Sequence, residues 1–71
     1  MNNYDLVIMK RFGNNLKRLL DDAWMTQKEL ADDTGISEST ISRYINGSCM
    51  PSYVNVIKIA ESLDCTLDEL S

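Results

Sequence analysis

Two side chains in the stretch ESTISRYI, residues 38–45, are built for recognition by hydrogen bonds. The Arg43 guanidinium is a planar fork of donors, and its commonest specific partner is the O6 and N7 edge of guanine. The Glu38 carboxylate can accept from a cytosine amino group. It can equally sit in the first turn of a helix and stabilise the dipole there by about 0.3–1 kcal/mol, which is the plainer role. The two stand five positions apart, a poor spacing for a helix ion pair. Catalytic equipment is missing. There is no histidine, the commonest general base. We find no activated Ser or Cys, no Gly-rich phosphate loop and no inward carboxylate cluster, so no enzyme is expected. Cys49 and Cys65 stand apart and form neither a disulfide framework nor a zinc set. Two reduced thiols are expected, with no metal, cofactor or small-molecule ligand.

The elements that hold these side chains follow from caps and periodicity. Thr26 with Glu29 fits a capping box, so a helix starts at Gln27 and carries Leu30, Ala31 and Thr34 on one face. Gly35 ends it, since a left-handed residue after a helix suits glycine. Ser37 caps the next helix, whose Ile41, Tyr44 and Ile45 form an apolar stripe. Asn46 and Gly47 stop it. Pro51 and Ser52 introduce a fourth helix that Val56, Ile57, Ile59, Ala60 and Leu63 keep largely buried. Thr66 with Glu69 opens a short last turn holding Leu67 and Leu70. At the front, Phe12, Leu16, Leu19, Leu20 and Ala23 repeat with helical spacing. That helix should begin well before Phe12, capped by Asn3 or Asp5, with Gly13 weakening its early turns. Trp24 and Met25 are expected to pack at the corner after it. Nothing alternates at period two, so the class is all-α.

Length and composition bound the rest. Seventy-one residues make one small domain, marginal on its own. An apolar content of 44%, one Pro and three Gly argue against disorder. No apolar run is long enough to span a membrane. The start, MNNYDLVIMK, lacks the basic region of a signal peptide. A cytoplasmic protein is expected.

Two helices joined by a short turn cross steeply only if they come close. Ala31 supplies a small residue at the crossing, Gly35 the positive φ of the turn, and Ile41 a β-branched wedge on the second helix. Leu30, Ile36 and Tyr44 complete that wedge. The start of the second helix is then left free to enter a major groove.

TQKELADDTGISESTISRYING, followed by PSYVNVIKIAESLDCTLDEL and preceded by Phe12-Gly13 and Leu16-Lys17, resembles the phage repressor and Cro-type helix-turn-helix proteins, the XRE family. The resemblance covers residues 12–70. It implies a lambda repressor-like fold, a bundle of about five short helices, which bind operators as two-fold dimers. Residues 1–71 would be a single such domain, with 1–10 extending the first helix. The resemblance places Ser37, Glu38, Ser39 and Thr40 at base edges, with Arg43 one turn further on the same face. It places Gln27 at a phosphate, beside Lys28 and the amides of that helix end. Asn46, Gly47 and Ser48 fall on the loop that meets the backbone. Plainer roles stand beside these: Ser37 as cap only, Ser39 and Thr40 merely solvated, Gln27 as a good helix former. Many members pair an Arg in the first helix with a Glu in the recognition helix; those positions are Leu20 and Ile45 here, a pair swapped as a unit for packing.

The net charge of −4 is unusual for a protein that binds a polyanion. Lys10, Arg11, Lys17, Arg18, Lys28 and Arg43 sit on the first three helices. Asp21, Asp22, Asp32, Asp33 and the C-terminal acids are expected to lie mostly away from the groove. About three to five cationic contacts, each adding about 0.9 to the salt slope, are then expected. The reading is a bacterial or phage-encoded, nucleoid-associated repressor or Cro-like regulator. It would act as a homodimer on a roughly palindromic operator, with no membrane partner. Leu6-Val7-Ile8-Met9 and the turn with Leu67 and Leu70 are the candidate dimer surfaces. The alternative is a protein-interaction module of the same fold, such as an antirepressor, antitoxin or adaptor.

Overall fold

The first helix is capped by Asn2, one residue before Asn3 and three before Asp5, the expected caps. The Asn2 side-chain oxygen accepts the Asp5 amide at 2.8 Å, and Asn3 and Asp5 lie inside the first turn. A cap must reach the amide three positions on, and from Asn2 that amide belongs to Asp5, whose own acid then suits the dipole. The computed structural model describes residues 2–71. Five helices and no strand occur among them: α1 Asn3–Asp22, α2 Gln27–Thr34, α3 Glu38–Ile45, α4 Tyr53–Leu63 and α5 Leu67–Leu70. The architecture is all-α, and α1, at 20 residues, is much longer than the others.

α1 runs unbroken through Gly13, and the end of α3 packs directly against it. A Cβ there would lie within 2.6 Å of the Ile45 carbonyl oxygen and closer still to that of Tyr44. Only a glycine lets the α1 backbone approach the end of α3 this way.

The corner after α1 differs from the expectation. Ala23 ends the helix, Trp24 takes a left-handed φ of 56°, and the Met25 amide returns to the Leu20 carbonyl at 3.0 Å. This is the Schellman arrangement, which favours Gly at the position Trp24 fills. Met25 packs against the core, but Trp24 is 93% exposed and packs against nothing.

Both capping boxes are present, Thr26 with Glu29 and Thr66 with Glu69, and Ser37 and Ser52 cap α3 and α4. The Thr26 backbone N–H, and after it the Thr26 side chain, hold the Glu29 carboxyl below its ordinary pKa. The core joins Phe12, Leu16 and Leu20 of α1, Leu30 and Ala31 of α2, Ile41 and Tyr44 of α3, Ile59 and Ala60 of α4, Leu70 of α5, and Ile36 from the turn. Isolated helices of this length are marginal in water, so mutual burial of this core sustains them. α4 is less buried than its composition suggests. Ile59 and Ala60 are buried, Val56, Ile57 and Leu63 are half-buried, and Tyr53 and Val54 are exposed. α4 packs on α2 and α5 with one edge only. Leu70 is buried, whereas Leu67 is exposed.

Candidate nucleic-acid interface

The α2–α3 turn is built as the spacing requires. Gly35 has a φ of 77° and open space around it, so glycine is needed there for its backbone angle and not for room. Its amide bonds the Ala31 carbonyl at 2.9 Å. Thr34 locks the turn from inside: its hydroxyl donates to the Leu30 carbonyl at 2.8 Å and accepts from the Ile36 amide at 3.2 Å. Ala31 and Ile41 are buried at the crossing.

α3 therefore presents one face to the core and one to solvent. Ile41 and Tyr44 are buried and Ile45 half-buried, while Ser37, Glu38, Ser39 and Arg43 are exposed and Thr40 is half-exposed. Three contacts fix its C-terminal turn. Phe12 meets the Tyr44 ring edge-on at 5.6 Å. Asn55 of α4 donates its side-chain amide to the Tyr44 hydroxyl at 2.9 Å. Gly13 admits the carbonyls of Tyr44 and Ile45. Leu20 belongs to the buried core and Ile45 packs against it, so both apolar residues at the substituted pair contribute to packing.

Hydroxyls order the exposed face. Ser37 Oγ accepts the Thr40 amide at 3.1 Å as the cap and donates its proton to Thr40 Oγ1 at 2.8 Å, so both its oxygen and its proton are engaged. Thr40 Oγ1 accepts that bond and one from the Arg43 guanidinium at 3.5 Å. The Thr40 proton is left to donate outward. Ser48 donates both its amide and its hydroxyl to the Arg43 carbonyl, which ties down the loop after α3. Asn46 is the exposed C-cap, and Gly47 takes a φ of 71°. Gln27 and Lys28 are the first residues of α2, Gln27 half-buried and Lys28 exposed. The Thr26 side chain caps the third amide of that helix and leaves the first two available to an anion.

The expected separation of charges is incomplete. Lys28 is paired with Asp32 at 3.6 Å, and Lys17 with Asp21 at 3.8 Å, both across one exposed helical turn. Asp32 and Glu38 also line one shallow crevice between α2 and α3. The reason is the i, i+4 period of α2 and the tightness of the Gly35 turn, which bring Asp32 beside the start of α3.

Sequence reasoning missed Lys10 as part of this surface. Its stem lies against Gly47, 3.3 Å from where a Cβ would stand, so a cation from α1 joins the loop that follows α3. Asn55 was also missed. No local signal marks either residue, because each meets its partner only through the tertiary fold.

Elsewhere, Cys49 and Cys65 are free and half-buried. Burial, and after it the charges of Glu69 and Asp64, push the Cys65 thiol up from its ordinary pKa. Among the described residues no group of three His, Cys, Asp or Glu side chains is placed to hold a metal, and no helix is long and apolar enough to cross a membrane.

Known proteins share this arrangement. Over 45 residues the chain is 40% identical to the cryptic phage CTXphi transcriptional repressor RstR of Vibrio cholerae, covering 63% of this chain and 40% of that protein. Over 59 residues it is 37% identical to the HTH-type transcriptional regulator YqaE of Bacillus subtilis, covering 83% and 51%. The chain thus spans about half or less of the length of these relatives. The crystal structure of the restriction-modification controller protein C.AhdI from Aeromonas hydrophila superposes with a TM-score of 0.85 at 30% identity, over 89% of this chain and 96% of that one. An HTH_3 transcriptional regulator from Vibrio cholerae gives 0.88 at 23% identity, over 93% of this chain and 37% of that one, a likeness of fold. The helix-turn-helix family model matches residues 16–70. The turn at Gly35, the wedge at Ile41 and the exposed face of α3 are therefore those of a member of the helix-turn-helix family, of the XRE type, to which this chain belongs.

Proposed function

We propose that this chain is a sequence-specific DNA-binding regulator of transcription, a repressor or Cro-like switch protein, and that α3 is its recognition helix. One observation carries the reading: α3 is clamped at its C-terminal turn by Phe12, Gly13 and Asn55, while its polar face stays exposed. A rigid helix with a polar, ordered outer face is what the major groove accepts. The relatives named as transcriptional repressor and regulator support it.

In this reading Arg43 takes a guanine edge, and Thr40 donates to a base or phosphate acceptor. Ser39 contacts an adjacent base or the backbone. Ser37 and Glu38 act chiefly as cap and dipole partner, since the Ser37 hydroxyl is already engaged. Gln27, the free α2 amides and Lys28 face one phosphate; Lys28 exchanges Asp32 for it, an exchange that exposed pairs make at little cost. Asn46, Gly47 and Ser48 meet a second phosphate, with Lys10 as their cation.

One such bundle covers a half-site, so the reading includes a homodimer on DNA. Of the first candidate dimer surface, Met9 is already buried inside the fold and is no part of it, while Ile8 adjoins the second surface. Ile8 of α1 and Leu67 of α5 line one apolar groove with Met50 and Tyr53. An isologous contact through this groove would bury Ile8 and Leu67 together and leave Leu6 and Val7 outside it.

The test is Arg43→Ala. Its affinity for a duplex selected by the wild type should fall about tenfold or more, with discrimination lost at one base pair and the thermal midpoint unchanged. A variant that binds and discriminates like the wild type would overturn the assignment.

A further inference from the structure

The exposed face of α3 carries a chain of hydrogen bonds that steps from Ser37 to Thr40 to Arg43. Thr34, on the neighbouring helix, turns its hydroxyl back to the carbonyl four residues earlier, the usual habit of a helical threonine. Thr40 is turned instead to Ser37, and the two are bonded twice. Ser37 Oγ accepts the Thr40 amide at 3.1 Å and donates to Thr40 Oγ1 at 2.8 Å. A β-branched side chain is stiff at χ1, and the second of these bonds selects its rotamer. The oxygen so fixed meets Arg43 Nη2 at 3.5 Å, a long bond that the donor's charge strengthens. No acid competes for the guanidinium: the ion pairs among the described residues engage Lys17 and Lys28. The bond takes one Nη2 hydrogen. Each two-donor edge of a guanidinium contains one hydrogen of that nitrogen, so the other edge stays whole for a bidentate contact. An unheld arginine gives up rotamer freedom when it binds, and such ordering opposes association. Arg43 is already partly ordered in the free protein.

We propose that Thr40 is the positioning residue for Arg43: anchored by Ser37, its hydroxyl oxygen holds the guanidinium with one edge free, and so sets how strictly that arginine selects its base pair. This rests on the proposed reading of α3 as a recognition helix with Arg43 at a guanine. The role uses the Thr40 oxygen as an acceptor and is separate from the proton that Thr40 donates outward. Removing the oxygen therefore acts at the base pair that Arg43 reads, and not only at a contact of Thr40 itself.

The experiment uses the whole chain and the duplex it enriches from a random pool. Arg43→Ala first identifies the base pair that Arg43 reads. Thr40→Val keeps the shape and the β-branch and removes the oxygen, whereas Thr40→Ser keeps the oxygen. Affinities for the duplex and for versions changed at that pair give the preference. Thr40→Val should lower it about three- to tenfold, the equivalent of one hydrogen bond, with a thermal midpoint within about two degrees of the wild type. Thr40→Ser should restore it, and in the Arg43→Ala background Thr40→Val should change nothing further at that pair. Nitrogen relaxation of the Arg43 side chain in the free protein should show a more ordered guanidinium in the wild type than in Thr40→Val. If Thr40→Val keeps the full preference at that pair, or loses preference only at another, Thr40 acts only through its outward proton. The proposal is then overturned and the reading of α3 stands. A uniform weakening over all sequences would place Thr40 at a phosphate and overturn it equally, as would an Arg43 side chain no more ordered in the wild type than in the variant. If the wild type enriches no duplex, the reading of α3 fails, and this proposal with it.

Discussion

Gly13 of α1 lies directly against the Tyr44 carbonyl of α3, where a Cβ would stand less than 2.6 Å from backbone oxygen. Glycine inside a helix ordinarily destabilises it by about 0.5–1 kcal/mol relative to alanine. Here that relation reverses, because the obstacle to a methyl group is backbone and not a flexible side chain. Gly13→Ala should destabilise the protein by about 1–3 kcal/mol and weaken DNA binding as the end of α3 is displaced. Urea unfolding checks this, and a variant as stable as the wild type would show that the helices are not in such close contact.

Tyr44→Phe removes the acceptor of the Asn55 side-chain amide without changing the ring that meets Phe12. A loss of about 1 kcal/mol is expected, with the edge-on contact retained. Paired replacement of Tyr44 by Phe and Asn55 by Ala should be less than additive in a double-mutant cycle. Strict additivity would mean that the bond contributes nothing.

Lys10→Ala should lower the slope of log affinity against log salt by about 0.9 and leave the selected sequence unaltered. The measurement is a salt titration on wild-type and variant protein. An unchanged slope would remove Lys10 from the phosphate-facing set.

Glu38→Gln distinguishes the two roles of that acid. Loss of the dipole interaction should cost about 0.3–1 kcal/mol of stability, and the selected sequence should not change. A relaxed preference at one base pair would instead assign Glu38 to a cytosine amino group.

The Glu29 carboxyl has its pKa lowered in the folded state by the Thr26 backbone N–H and then the Thr26 side chain. A depressed folded pKa stabilises the protein above the unfolded value, and the gain is lost as pH falls through the folded one. Glu29→Gln should therefore differ from the wild type in thermal midpoint near neutral pH and converge with it at about pH 3, below the ordinary carboxylate range. Equal midpoints at both pH values would show that the capping box does not titrate with folding.

Most of the scaffold was legible in the chain because its signals are local. Thr26 and Glu29, Thr66 and Glu69, Ser37, Gly35 and Ile41 each act within a few residues, and each stands where the spacing placed it. What escaped was tertiary. Gly13 looked like a flaw in α1 because the backbone it admits belongs to α3. Lys10 reaches Gly47 across 37 positions, and Asn55 reaches Tyr44 across 11. Trp24 was expected to pack because tryptophan usually does, but the Schellman corner leaves its ring in solvent. Asp32 is expected away from the interface when charge is read by position in sequence, but the turn puts it on the same crevice as Glu38.

Selection of bound duplexes from a random pool tests the central claim most directly. The account predicts enrichment of a two-fold site with half-site centres about 10 bp apart, including a guanine whose preference disappears in Arg43→Ala. Failure to enrich any sequence, even at low salt, would contradict it and leave the fold as a protein-binding module.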